Sequence, residues 1–184
     1  MNFASARLVP EKNVQPEEDA AIRDLLMLAF AHLADFWATV SFWGSPPEYR
    51  LWIEDAQGEL LAHLAFSRRL IEVEGQEVFI AGVGGVCTHP KVQGQGFGRR
   101  LLKELRRALQ SEAPASFGFL GCREEVVGFY ERCGFTRVRQ PVRYLDPDDQ
   151  RWVENPGPAL ILPAQSALDA WPQGGLIDLR GLPW

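Results

Sequence analysis

The chain has 184 residues, 46% of them hydrophobic and 23% charged, with a net charge of −5. That length suits a single domain spanning 1–184 with a substantial core, and the acidic balance argues against a nucleic-acid binder, whose phosphate-tracking surface is basic. No stretch approaches a membrane span and Met1-Asn2-Phe3-Ala4-Ser5-Ala6-Arg7 lacks an apolar signal core, so a cytoplasmic protein without membrane partners is expected. Residues 3–9 read as an opening strand. Pro16-Glu17-Glu18-Asp19 supplies the proline and acidic first turn of a helix running to about His32, with Ile22, Leu25, Leu26, Leu28, Ala29 and Leu33 as its apolar face. A second helical stretch, rich in aromatics, is expected over 34–43 and stops at Gly44-Ser45-Pro46-Pro47. Alternation predicts strands over 49–54 and 60–73, separated by Asp55-Ala56-Gln57-Gly58, and a further strand over 77–88 after Gly75-Gln76. A basic amphipathic helix runs from Phe97 to about Ser111, burying Phe97, Leu101, Leu102, Leu105 and Leu109. Strand 115–120, a short helix 124–133 closed by Gly134, and strands 135–139 and 159–162 follow. Between the last two strands, Pro141, Asp146-Pro147-Asp148-Asp149 and Asn155-Pro156-Gly157 predict a segment that is partly a long loop.

The most informative segment is 83–102, where an apolar strand, a proline turn, a glycine-rich loop and a basic helix follow one another. Gly94, Gly96 and Gly98 lack Cβ atoms, so the loop can turn tightly and bring its backbone N–H groups against an anion. The helix adds its unpaired first N–H groups and positive dipole end. A Walker A loop is excluded because neither Lys nor Ser/Thr follows Gly98. A dinucleotide fingerprint needs a small residue where Arg99 stands, and its loop would follow the strand without the insertion Thr88–Gln93. Arg99 and Arg100 lie in the first helical turn, within reach of a phosphate, whereas Arg106 and Arg107 read as a solvated face.

Gln93-Gly94-Gln95-Gly96-Phe97-Gly98, preceded by Val86-Cys87-Thr88-His89-Pro90, resembles the Gln/Arg-x-x-Gly-x-Gly/Ala signature of the GNAT superfamily of N-acetyltransferases. The order of elements agrees over nearly the whole chain. The resemblance implies an α/β (α+β) GNAT fold, a mixed central sheet of about seven strands flanked by four helices and splayed between its fourth and fifth strands. It implies acetyl-CoA as cosubstrate, with Val86, Cys87, Thr88, Gln93, Gly94, Gln95, Gly96, Phe97, Gly98 and Arg99 holding it. Val86 and Cys87 line the thioester in this reading, and the backbone N–H of one of them is the oxyanion donor. Gly128-Phe129-Tyr130-Glu131-Arg132-Cys133-Gly134-Phe135 resembles the second motif of the superfamily. It makes Tyr130, whose phenol has a reference pKa of about 10, the acid for the departing thiolate.

Within the superfamily, Leu61-Ala62-His63-Leu64-Ala65-Phe66-Ser67-Arg68-Arg69-Leu70-Ile71 and the end of the chain, Ala159-Leu160-Ile161-Leu162-Pro163 and Ile177-Asp178-Leu179-Arg180-Gly181-Leu182-Pro183-Trp184, resemble the aminoglycoside 2'-N-acetyltransferases. That likeness implies a tail, 163–184, near the acceptor site, with Asp178 and the carboxylate of Trp184 gripping a cationic amine. The chain departs from that family at Gly84, where those enzymes carry a glutamate that helps to deprotonate the amine. Asp35, Glu54 or Asp178 could relay the proton through water instead. Phe36, Trp37, Phe42 and Trp43 either line the acceptor pocket or supply core and homodimer contacts.

Cys87, Cys122 and Cys133 are odd in number and without a Cys-x-x-Cys pair, so neither a disulfide framework nor a metal site is expected. Cys87 reads as a buried strand cysteine rather than a nucleophile. Among His32, His63 and His89, the expected role of His63 is that of a satisfied structural residue, with a proton relay as its alternative. The function expected is direct acetyl transfer to a primary amine of a small cationic molecule. The alternatives are a CoA-binding sensor without catalysis and an acetyltransferase for protein N-termini or lysines.

Overall fold

The computed structural model describes residues 5–155 and 157–184. Contacts divide the chain into two compact units. The first comprises the chain up to Ser67, Gly84–Leu105 and Trp184; the second comprises Arg68–Val83 and Arg106–Pro183.

In the first unit, β1 (Ser5–Pro10), β2 (Tyr49–Glu54) and the first half of β3 (Leu60–Val73) pair antiparallel, with Leu8 opposite Leu51 and Leu51 opposite Leu64. Residues 3 and 4 of the expected opening strand lie outside the described residues. Helix α1 (Pro16–Ala29) begins as its sequence dictates: Pro16 occupies the first turn and the Gln15 N–H donates to Glu18 Oε2 at 2.9 Å. Its Ile22, Leu25 and Leu26 are buried with Trp37, Trp52, Leu60 and Cys87, each contributing roughly 1.5–3 kcal/mol by the transfer scale.

The second expected helix is much shorter than 34–43, since α2 covers only Ala34–Trp37 after a 3₁₀ turn at Ala31–Leu33. Beyond α2 the chain is tied to β2 at Ser41. Arg50 is fully buried, and its Nη1 and Nη2 donate to Ser41 O and Ser41 Oγ at 2.7 and 2.9 Å. The same guanidinium makes a paired contact with Glu11, at 2.6 Å from Nε and 2.9 Å from Nη2, and Ser41 Oγ donates to Asp19 Oδ1.

β4 (Gln76–Thr88) and α3 (Phe97–Gln110) each contribute residues to both units. Between β3 and β4 the chain turns at Glu74-Gly75, both in the left-handed region with φ of 51° and 72°.

In the second unit, β6 (Thr136–Val138), β9 (Ala159–Pro163) and β5 (Phe117–Gly121) pair antiparallel in that order. β5 then runs parallel to β4 from Ile80 opposite Phe117 to Gly82 opposite Phe119. Helix α4 (Val127–Arg132) follows a 3₁₀ turn at Glu124–Val126 and is closed by Gly134, whose φ is 94°. Trp171 is buried edge-on against Phe117 and stacked on Phe119.

Ten strands, against about seven expected, are present among the described residues. The three additional ones are β7 (Val142–Leu145), β8 (Trp152–Asn155) and β10 (Ile177–Asp178). β7 and β8 form a hairpin inside the expected loop, and Asp146 Oδ1 accepts the N–H groups of Asp148 and Asp149 at its turn. Pro156, also part of that expected loop, lies outside the described residues. β10 pairs antiparallel with β3 and parallel with β7.

Candidate active site

The glycine loop is built from its two flanks. His89 is buried, its N–H donates to Leu61 O at 2.8 Å, and its Nδ1 accepts the Lys91 N–H, fixing the 3₁₀ turn Pro90–Val92. On the far side, Leu101, Leu102 and Leu105 bury one face of α3 and hold its first turn in place. Gln93–Gly96 are exposed between these anchors. Gly94 and Gly96 have φ of 78° and 86°, and a Cβ on either would meet nothing within 4 Å. The loop therefore needs glycine for its backbone conformation and leaves open space above it. The Arg100 N–H donates to Gly96 O at 3.0 Å as the helical ladder starts. The N–H groups of Phe97, Gly98 and Arg99 precede that first intrahelical donor, as at any helix start, and the exposed Arg99 side chain adds a cation. Open space, left-handed glycines and a helix N-terminus together fit a diphosphate.

Upstream, the end of β4 is irregular. Gly84, Gly85, Val86 and Thr88 are half-buried and Cys87 is buried. Gly85 has a φ of 59°, and its carbonyl lies 3.1 Å from His63 Nδ1. Burial, reinforced by the Arg50 charge, lowers the His63 pKa to about 3, so the ring is neutral. Its Nε2 is buried without a partner, which corrects the expectation of a satisfied histidine. Burial pushes the Cys87 thiol up to about 12; it stays protonated at neutral pH and is a poor nucleophile.

The structure brings Gly84 and Trp184 together. A Cβ on Gly84 would lie 2.5 Å from Trp184 C and 2.6 Å from Trp184 O, so the space a side chain at 84 would take is filled by backbone. Phe42, Trp43, Phe66, Gly84, Gly85 and Trp184 are among the residues lining a narrow pocket of about 10 Å³, roughly room for one water. Gly84→Ala should displace Trp184 and lower stability by about 1–3 kcal/mol. Urea unfolding followed by tryptophan fluorescence measures this, and an unchanged midpoint with an unchanged native spectrum would contradict the contact.

Other residues singled out by sequence are placed differently. Trp37 is buried in the core, edge-on to Phe36, and Asp35 is exposed on α2. In the second unit, Asp178 Oδ1 accepts the Arg180 N–H at 2.8 Å and Oδ2 pairs with Arg143 at 3.7 Å. Tyr130 is buried on α4, with its ring 5.2 Å from that of Phe129 and 5.5 Å from that of Phe135. Cys122 and Cys133 are half-buried and unbridged. Arg50 escaped sequence reasoning; the available signal was a lone cation in the apolar run Tyr49-Arg50-Leu51-Trp52-Ile53.

A family model described as "Nodulation protein A (NodA)" matches residues 5–183. Nodulation protein A of Bradyrhizobium sp. (strain ANU 289) is 23% identical over 98% of this chain and 99% of its own length. Among solved structures, the GNAT family N-acetyltransferase YhbS of Escherichia coli, in complex with CoA, is 21% identical with a TM-score of 0.64, covering 97% of this chain and 90% of that one. A GNAT family acetyltransferase of Brucella melitensis, in complex with acetyl-CoA, is 26% identical with a TM-score of 0.52, covering 73% of this chain and 84% of that one. The fold is that of the GNAT superfamily. None of these three relatives is described as acting on aminoglycosides.

Proposed function

The chain belongs to the nodulation protein A (NodA) family, and from that premise we propose that it is an acyl-CoA-dependent N-acyltransferase, passing acetyl or another acyl group directly to a primary amine of a small cationic molecule. The observation that carries this reading is the Gln93–Gly96 loop: exposed, left-handed at Gly94 and Gly96, and open above both. In this role its N–H groups and the first turn of α3 bind the diphosphate of the donor, with Arg99 adding charge. The backbone of Val86, Cys87 and Thr88 grips the pantetheine arm. A Val86 or Cys87 N–H donates to the carbonyl oxygen as it gains charge.

The Cys87 thiol, held up to about 12 by burial, offers no thiolate to accept the acyl group, which supports direct transfer at this strand. The net charge of −5 suits a cationic acceptor. Among the described residues no helix is long and apolar enough to cross a membrane.

Tyr130 is the proposed acid for the leaving thiolate. Tyr130→Phe should lower kcat by about 10²-fold, the low end for a lost general acid, while the Kd for acetyl-CoA stays within about twofold. Steady-state kinetics with a CoA-binding titration separate the two effects. Unchanged turnover would remove Tyr130 from this role.

A further inference from the structure

Gly85 lies within β4, yet its φ of 59° turns one peptide out of the regular strand. The carbonyl so turned meets His63 Nδ1 at 3.1 Å. A carbonyl oxygen only accepts, so Nδ1 carries the ring proton and Nε2 the lone pair. That Nε2 is fully buried and unpartnered, a loss of hydration that an apolar side chain of similar size would not incur. The imidazole is therefore unfavourable as core filling, and what it supplies in return is the bond to Gly85. Burial keeps the ring neutral, with its pKa lowered to about 3, and in the neutral ring Nδ1–H donates to Gly85.

The Gly85 carbonyl and the Val86 N–H belong to one trans peptide, in which the two bonds point in opposite directions. Anchoring the oxygen on His63 directs the Val86 N–H to the other side of the strand. We propose that His63 is a positioning residue for acyl transfer: by holding the Gly85 carbonyl it fixes the Val86 N–H, rather than that of Cys87, as the donor to the thioester oxygen. The inference rests on the acyltransferase reading above and adds to it which N–H acts and what aims it.

Three variants test it. His63→Leu removes the donor, His63→Gln moves an amide to the Nε2 position, and His63→Asn keeps an amide nitrogen near the place of Nδ1. With acetyl-CoA and a productive amine, His63→Leu and His63→Gln should lose about tenfold or more in kcat, the scale of a misaimed oxyanion donor, at little change in the KM for acetyl-CoA. His63→Asn should recover most of that loss. In ¹⁵N-labelled protein the Val86 amide resonance should move in the Leu and Gln variants and stay near its wild-type position in the Asn variant. A Val86 resonance unmoved by His63→Leu or His63→Gln would overturn the proposal, as would equal losses of kcat in all three variants with a common drop in melting temperature. If the wild-type protein acylates no amine, the reading of function fails, while the Val86 resonance still decides whether His63 sets that peptide.

Discussion

Arg50→Met should lower the unfolding free energy by about 3 kcal/mol, a fall in melting temperature of roughly 6–12 °C for a chain of this size. The side chain is fully buried on β2, and its guanidinium ties three segments together: Glu11 after β1, Ser41 after α2, and through Ser41 the Asp19 carboxylate of α1. Methionine fills much of the volume but leaves the Glu11 carboxylate and the Ser41 carbonyl without their donor. Glu11 retains some water, its side chain being 32% exposed, which keeps the expected loss at the lower end for a broken buried pair. In a double-mutant cycle Glu11→Gln should cost much less on the Arg50→Met background than alone. Denaturant unfolding of the four proteins measures the coupling; a change within about 0.5 kcal/mol for Arg50→Met, the range of an unremarkable surface substitution, would show that the network does not hold the unit.

Gly96→Val should weaken CoA binding by about tenfold to a hundredfold, or about 1.4–2.8 kcal/mol. Two effects act in the same direction. A φ of 86° is one a β-branched residue resists, so the loop opens toward a different conformation. A Cβ built there meets nothing within 4 Å, so the side chain enters the open space above the loop, where the diphosphate is proposed to bind, instead of packing into the protein. Because Gln93–Gly96 are exposed, the loss of stability should stay near 1–2 kcal/mol, the strain of one left-handed residue. Titration calorimetry with CoA reads the affinity and thermal unfolding the stability. An unchanged Kd would mean that the anion is not held over Gly96.

Much of the fold was legible because its signals are local. The period of α1 and α3 and the alternation along β2 and β3 depend on neighbours a few residues away, and the turn expected at Gly75-Gln76 lies one residue earlier, at Glu74-Gly75. What escaped depends on distant partners. β10 has two residues and exists as a strand through Ile177 opposite Val73 and Val142. β7 and β8 have four residues each and stabilise one another across a turn whose prolines and acids read as loop. The helix expected over 34–43 keeps only Ala34–Trp37, and the Arg50 bonds to Ser41 beyond it join residues nine apart that no local pattern links.

The same division runs through the candidate site. Spacing alone singled out Gly94, Gly96 and the helix after them, because a phosphate cradle is contiguous in sequence. The His63 contact with Gly85 and the Trp184 contact with Gly84 join distant residues and leave no mark of spacing. Gly84 is instructive. From sequence it reads as the absence of a glutamate, whereas the structure fills that position with the Trp184 backbone.

The most direct test of the central claim is thiol release by the purified protein from acetyl-CoA and longer acyl-CoAs, across a panel of polyamines, amino sugars, amino acids and N-terminal peptides, with CoA binding titrated alongside. The account predicts release that requires both an acyl-CoA and a small cationic amine, and that yields an N-acylated product. Tight CoA binding with no release from any amine would contradict it and leave a CoA-sensing module in its place.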